Sequence, residues 1–354
     1  MKNIIMNIIM TTLLISVANG KNSWHTVSIK NEWGCKENFK CSLTDGDVNK
    51  NVLIRLVKDD NLGKMIIDCQ VRDDCTVELE STPNPENSRP FYLIAHRCND
   101  NEDVGIALSG GCNAVECDLQ FNQSTNEIFV NHDNANGTTL SEWLSNAKKL
   151  ADQHPDNFAL IIFDCKFAGE YDHDISANVL KQVREKVRAT LTNSDNPMNV
   201  LFSVAKYANR NILKDIGLDL LPNEGISIDQ FGQPELVEAY FKSINAKNVW
   251  YGNGIFTFGI KPNIYSSMEE ASKLRENNRN LKKIYVWTLR NKRKIKEYIE
   301  IVEVDGVMVN VPGTITGFAP SGLQAALNVI SKSDKIRMAK RSDNAFSVFE
   351  KEKN

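Results

Sequence analysis

The sequence predicts an α/β protein: a TIM-type (β/α)8 barrel preceded by a small disulfide-stapled antiparallel β domain. Three observations carry this. From residue 91 onward, strand-like apolar runs alternate with amphipathic helical stretches, the pattern of a parallel sheet covered by helices. Before that, short segments alternate apolar and polar residues between turn-rich pieces, the pattern of antiparallel strands. Cys35, Cys41, Cys69 and Cys75 fall in that first part with identical spacing within each pair.

Residues 1–20 read as a signal peptide. Lys2 supplies the positive start, Ile4 to Val17 is mostly apolar, and Ala18-Asn19-Gly20 resembles a cleavage site. Asn7, Thr11 and Thr12 interrupt the run, which is short for a membrane span. No later segment is apolar enough for one, so a secreted chain without a transmembrane segment is expected. Disulfides persist outside the cytosol, and four cysteines allow three pairings, which the sequence leaves open. The β domain is expected over 21–82, with strand-like Trp24–Ile29, Val52–Val57 and Cys75–Leu79 and a turn at Asp45-Gly46-Asp47. What this domain binds is not written in it. The proline-broken polar stretch over 83–90 reads as a linker.

The barrel is expected over 91–335. Its strand-like runs are Phe91–His96, Ala114–Phe121, Phe158–Phe167, Val200–Ala205, Ile226–Asp229, Val249–Trp250, Ile284–Thr288 and Gly306–Val309. Helical periodicity marks Thr139–Gln153, Ile175–Leu191, Glu235–Ile244, Met268–Arg275 and Lys292–Ile301. A doubly wound open sheet is the rival fold. It usually carries a glycine-rich loop after its first strand, where this chain has Arg97-Cys98-Asn99-Asp100, and the barrel is preferred. Residues 336–354 are expected to form a tail packing on the barrel. Lys332, Lys335, Arg337, Lys340 and Arg341 lie close together in the stretch from Lys332 to Lys351 and read as a solvated basic terminus rather than a contact for an anionic membrane. The formal net charge is -3, which gives no reason to expect nucleic acid as a partner.

Barrel chemistry sits at the C-terminal ends of the strands. His96 ends the first run, and His132 follows the short strand Ile128–Val130. Glu116 and Asp118 are two apart, as are Asp164 and Lys166, so each pair leaves one face of its strand. The neighbours, Ala114-Val115 and Leu119 beside one pair and Leu160–Phe163 beside the other, are apolar. Carboxylates in such runs are costly unless paired or bound to a cation. Three of them converging at one mouth make a hard oxygen site suited to Mg²⁺, or less specifically to Ca²⁺. The two histidines offer an acid and a base near neutral pH.

Ala95-His96-Arg97, Glu116-Cys117-Asp118 and Asn131-His132-Asp133 resemble the glycerophosphodiester phosphodiesterase-like (PLC-like phosphodiesterase) superfamily. Phe163-Asp164-Cys165-Lys166, Tyr285-Val286-Trp287-Thr288 and Val304 to Pro312 are similar to its sphingomyelinase D, or venom-type phospholipase D, branch. So is the tail from Lys335 through Asp343 to Phe346. The resemblance spans residues 91 to 349. It implies Glu116, Asp118 and Asp164 as Mg²⁺ ligands and His96 and His132 as the catalytic pair. Lys166 is implied to neutralise the phosphate, and Trp250 to line the mouth. It further implies a phospholipid substrate met at a membrane surface, and release of a head-group alcohol by internal attack that leaves a cyclic phosphate.

The chain departs from that branch in places. The loop Asp133–Thr138 is short and lacks cysteines, and it carries the sequon Asn136-Gly137-Thr138; a second sequon starts at Asn122. Asn253 stands three residues beyond Trp250, where the branch has aspartate. That weakens the case for a quaternary ammonium, which favours aromatic faces near anions; Asp229 is the compensating carboxylate. Phe346 replaces a tryptophan. Cys117 and Cys165 should point outward as buried thiols, and a Cys98–Cys112 pair is left open. Two further readings remain: a glycerophosphodiesterase of small deacylated diesters, and a catalytically silent lipid-binding or host-interaction barrel.

Overall fold

The structure, a computed structural model, describes residues 23–30, 36–43, 51–59, 64–72, 88–193, 195–229, 231–254, 264–278, 280–314, 316 and 321–349. The chain divides into two compact units, Met1–Pro83 and Asn84–Asn354.

In the first unit, β1 (Ser23–Lys30) pairs antiparallel with β2 (Lys36–Leu43), and β3 (Asn51–Asp59) with β4 (Lys64–Arg72). Each hairpin forms a separate two-stranded sheet. The signal peptide, the third strand-like segment Cys75–Leu79 and the side chains of the four cysteines lie outside the described residues.

The second unit is a closed parallel barrel. Its eight strands are β5 (Arg89–Ala95), β6 (Ala114–Asn122), β8 (Leu160–Cys165), β9 (Asn199–Val204), β10 (Glu224–Ile228), β11 (Val249–Gly254), β12 (Leu281–Trp287) and β13 (Gly306–Val309). They follow one another in order, and β5 pairs with both β13 and β6, which closes the ring. A short β7 (Glu127–Val130) runs back antiparallel along β6. The helices are α1 (Asn101–Ser109), α2 (Leu140–Gln153), α3 (His173–Val187), α4 (Leu213–Gly217), α5 (Pro234–Ser243), α6 (Ile264–Asn278), α7 (Lys292–Glu300) and α8 (Leu323–Ile330). Thr139 starts α2 with a reciprocal cap: its hydroxyl accepts from the Glu142 amide while the Glu142 carboxylate accepts from the Thr139 amide. Pro234 opens α5, where its missing N–H costs nothing.

Two of the differences in strand bounds from the sequence reading bear on the site. β11 runs on through Gly254, because Gly252 and Gly254 break the apolar pattern without breaking the strand. A Cβ on Gly252 would meet Tyr285 Cζ at 2.6 Å and Asp229 Cβ at 2.7 Å, so glycine there makes room for inward-facing groups. β8 stops at Cys165, and Lys166 opens a 3-10 turn, Lys166–Gly169.

The tail is integral to the barrel. β14 (Ile336–Met338) pairs parallel with the start of β5. The Arg337 guanidinium bonds Asp343 at 2.6 Å, and Arg341 is buried, donating to the carbonyls of Phe158, Ala151 and His154. The expectation of a solvated basic terminus fails for these two residues, since carbonyls and a carboxylate, not water, satisfy their donors. Phe346 closes the base of the barrel against Trp250. A Cβ on Gly225 would lie 2.1 Å from Phe346 Cε1 and 2.8 Å from the Asn248 carbonyl. Gly225→Ala is therefore expected to destabilise the barrel by about 1–3 kcal/mol, the usual cost of overpacking, read as a lowered urea midpoint.

Candidate active site

The rim at the C-terminal ends of the strands gathers residues that are distant in the chain. Parallel register sets Asp118 of β6 directly beside Asp164 of β8. Glu116 lies two residues earlier on β6 and so faces the same interior. One carboxylate oxygen from each of the three lies within 4.8 Å of the others, and all three residues are buried. Cys117 and Cys165, on the opposite faces of these strands, are buried free thiols, and Cys98 is free too, so the Cys98–Cys112 pair is not formed.

Burial, reinforced by Asp118 and Asp164, pushes the Glu116 carboxyl well above its usual range. Burial also raises Asp164. Burial works the same way on Asp118, but the Lys166 ammonium and the Asn99 amide hold it below its ordinary value. The Lys166 ammonium pairs with Asp164 and lies 3.1 Å from Asp118 Oδ1. Lys166 thus spans both carboxylates instead of aiming in parallel with Asp164. It stays charged against its own burial because Asp164, Asp118 and Glu116 surround it. Asp164 Oδ1 is buried without a hydrogen-bond donor. Three crowded, hard, buried carboxylates fit a divalent cation of the Mg²⁺ or Ca²⁺ kind.

His96 follows β5, its amide held by the Val309 carbonyl. Its Nδ1 lies 2.9 Å from Asn310 Oδ1, just past β13. Burial lowers its pKa to about 4, so the ring is neutral at pH 7. The proton on Nδ1 is donated to Asn310, which leaves the Nε2 lone pair available. His132 follows β7, and its carbonyl accepts from the Gln120 amide at 3.0 Å. His132 Nδ1 lies 2.5 Å from Asp133 Oδ1, and its Nε2 lies 2.6 Å from an Arg97 terminal nitrogen. The sequence reading used Arg97 only for family likeness and gave Asn310 no role. Their positions directly after His96 and at the end of β13 were the available signals.

Asp229, directly after β10, is buried and accepts from the Tyr285 hydroxyl at 3.0 Å. Burial and the nearby Asp164 raise its pKa to about 7. Its backbone carbonyl takes the Trp287 indole N–H at 2.6 Å.

Two sequence-derived positions do not line the mouth. Trp250 sits at the start of β11 with 0% exposure, its indole N–H on the Ala345 carbonyl and its ring against Tyr92, Tyr285 and Phe346. It belongs to the packed base, since the start of a parallel strand lies at the opposite end from the chemistry. Asn253 is buried, donating to Ser267 Oγ on α6 while its own oxygen takes the Gly254 amide. Both polar ends are used structurally, so it does not replace an aspartate facing a ligand. Trp287, the last residue of β12, is a partly buried aromatic at a strand end.

The family described as Dermonecrotic toxin SPH matches residues 86–346. The dermonecrotic toxin LarSicTox-alphaIB2bi of Loxosceles arizonica is 22% identical over 297 residues, covering 74% of this chain and 90% of the toxin. LbSicTox-alphaIB1a of Loxosceles boneti is 23% identical over 294 residues, covering 74% and 99%. Among solved structures, a calcium-dependent phosphoinositol-specific phospholipase C from a Pseudomonas species overlaps with a TM-score of 0.41 at 11% identity, covering 67% of this chain and 94% of the enzyme.

Proposed function

The chain belongs to the Dermonecrotic toxin SPH family, and on that premise we propose that it is a secreted, Mg²⁺-dependent phosphodiesterase of the phospholipase D type. Its substrate is sphingomyelin or a lysophospholipid met at a membrane surface, and it releases the head-group alcohol with formation of a cyclic phosphate. The carrying observation is the buried triad Glu116, Asp118 and Asp164 between two histidines at one barrel rim.

Glu116, Asp118 and Asp164 would hold Mg²⁺, which withdraws charge from the non-bridging oxygens of the diester. The free Nε2 of neutral His96 takes the proton of the substrate hydroxyl as its oxygen attacks phosphorus. The bond from phosphorus to the head-group oxygen breaks, and the leaving alcohol takes a proton from His132. Asp133 orients that ring through Nδ1. Lys166 keeps a fixed positive charge beside the phosphate. Asp229 and Trp287, whose indole N–H donates to the Asp229 backbone carbonyl, form the head-group side.

The test is release of choline from sphingomyelin vesicles, with the phosphorus product followed by NMR. Mg²⁺ should switch release on, EDTA should reduce it by 10²-fold or about that, and the product signal should be that of a cyclic diester. Release that is indifferent to EDTA would remove the metal from the reading. Cleavage confined to glycerophosphocholine would favour the glycerophosphodiesterase alternative.

A further inference from the structure

The helix that follows Trp287 opens with a run of cations on the rim of the barrel. Arg290, Lys292, Arg293, Lys294 and Lys296 fall within seven residues, and all five are exposed. Lys294 bonds Glu297 at 2.9 Å and Lys296 meets Glu300 at 3.6 Å, so both carboxylates of α7 are engaged. Arg290, Lys292 and Arg293 have no ion pair among the described residues. α8 packs beside α7, and the chain from Gly306 to Ser331, which includes α8, has no ionisable residue to compensate them.

The positive end of a helix attracts carboxylates and disfavours cations. α1, α2, α3 and α5 follow that preference, with Glu102 and Asp103, Glu142, Asp174 and Glu235 in their first turns. α7 opposes it: Asn291 caps the Arg293 and Lys294 amides, and the first turn is Lys292-Arg293-Lys294. The segment is also fixed in place. The Leu289 amide bonds the Met308 carbonyl at 3.0 Å, and Gly322 approaches so closely that a Cβ would lie 2.0 Å from the Leu289 carbonyl oxygen. Across the mouth the sign reverses. β8 and β12 are third and seventh in the ring of eight, and exposed Glu170, Asp172 and Asp174 follow β8. The rim thus runs from acidic at α3 to basic at α7, in a chain of formal net charge -3. That pattern suits a flat anionic sheet met on one side better than nucleic acid, which needs a wider basic surface.

We propose that the exposed start of α7, with Arg290, Lys292 and Arg293, is an electrostatic docking surface for a bilayer containing anionic phospholipid. Contact there turns the α7 side of the mouth towards the head groups and keeps the acidic α3 side away from them. The surface lies outside the triad and the histidines, and it supplies recruitment rather than chemistry. The choice of a bilayer rests on the phospholipase reading, but the test reads binding without turnover.

The experiment sediments the full-length protein with vesicles of phosphatidylcholine alone or of phosphatidylcholine mixed with phosphatidylglycerol, both free of sphingomyelin and lysophospholipid. Binding should be about tenfold or more tighter on the anionic vesicles, and added salt should weaken it. The triple variant R290Q/K292Q/R293Q should bind them about 10²-fold more weakly, from roughly fivefold for each basic residue near such a surface. It should melt no lower than the parent, because it relieves the first turn of α7. The control K332Q/K335Q/K340Q removes the same charge from exposed lysines around β14, which pairs with the start of β5 at the base of the barrel. It should leave binding within about twofold of the parent. Equal binding of the parent to both kinds of vesicle, or an equal loss in the two triple variants, overturns the proposal. A parent that binds heparin but ignores anionic vesicles overturns it too, in favour of a soluble polyanion. Selective binding without any lipid cleavage would support this surface and count against the phospholipase reading alone.

Discussion

Alanine at His96 is expected to lower choline release from sphingomyelin by about 10³-fold, within the 10²–10⁴ that a positioned proton acceptor contributes. The expectation follows from the ring's surroundings. Asn310 fixes the proton on Nδ1, and burial keeps the ring neutral, so Nε2 is a standing acceptor at the rim. No other histidine among the described residues sits beside the triad except His132, whose Nε2 faces Arg97. The loss should appear in kcat and in kcat/KM alike, because the interaction forms in the transition state. Asn310→Ala should give a smaller loss, since it frees the tautomer without removing the base. A His96→Ala protein retaining more than a tenth of parental turnover would end the assignment.

The second large effect lies away from the chemistry. Asp305 is wholly buried, within reach of three cations: Arg89 at 3.0 Å, Arg275 at 2.5 Å and Lys283 at 3.9 Å. It also accepts from the Ile284 amide at 2.9 Å. Burial alone would raise its carboxyl, but Arg275, Lys283 and Arg89 hold it down at about 2, from an ordinary 3.8. Asp305→Asn should cost about 3–5 kcal/mol at neutral pH, the penalty for leaving buried charge uncompensated. Urea unfolding of parent and variant measures it. The pH dependence follows from the lowered folded pKa. The unfolded carboxyl binds its proton first, so the stabilisation is complete above about pH 4 and declines as pH falls from 3.8 towards 2. The decline amounts to ~2 kcal/mol. The gap between parent and variant should therefore narrow over that window. A constant gap would show that the cluster does not depend on the Asp305 charge.

The two effects also separate fold from site. Asp305, Arg89, Arg275 and Lys283 lie near the starts of their strands or on the surrounding helices, and His96 lies at an end. A barrel places these at opposite faces, the first for stability and the second for reaction.

Much of this architecture was legible in the sequence, because it rests on local periodicity. Alternating strand and helix patterns specify a parallel closed sheet, and a spacing of two on a strand puts Glu116 with Asp118 on one face, with Cys117 turned away. The strand bounds were less legible where glycine stands for a side chain, as at Gly252 and Gly254. The contacts that tune the site were not legible at all. His96 meets Asn310 across 214 positions, and Arg97 meets His132 across 35. No periodicity links such residues; only closure of the ring does. Trp250 and Asn253 show the limit from the other side. By chain order Trp250 ends, and Asn253 follows, a strand run that seemed to stop at the mouth, but β11 continues past both. One ring is thereby left at the packed base, and the amide is turned into α6. The sequence by itself determined which faces are apolar and which carboxylates travel together, since those follow from backbone geometry within one strand. Which end of the barrel each residue occupies, and which distant partner sets its proton, was decided by tertiary structure alone, because electrostatics and burial depend on distance in space rather than along the chain.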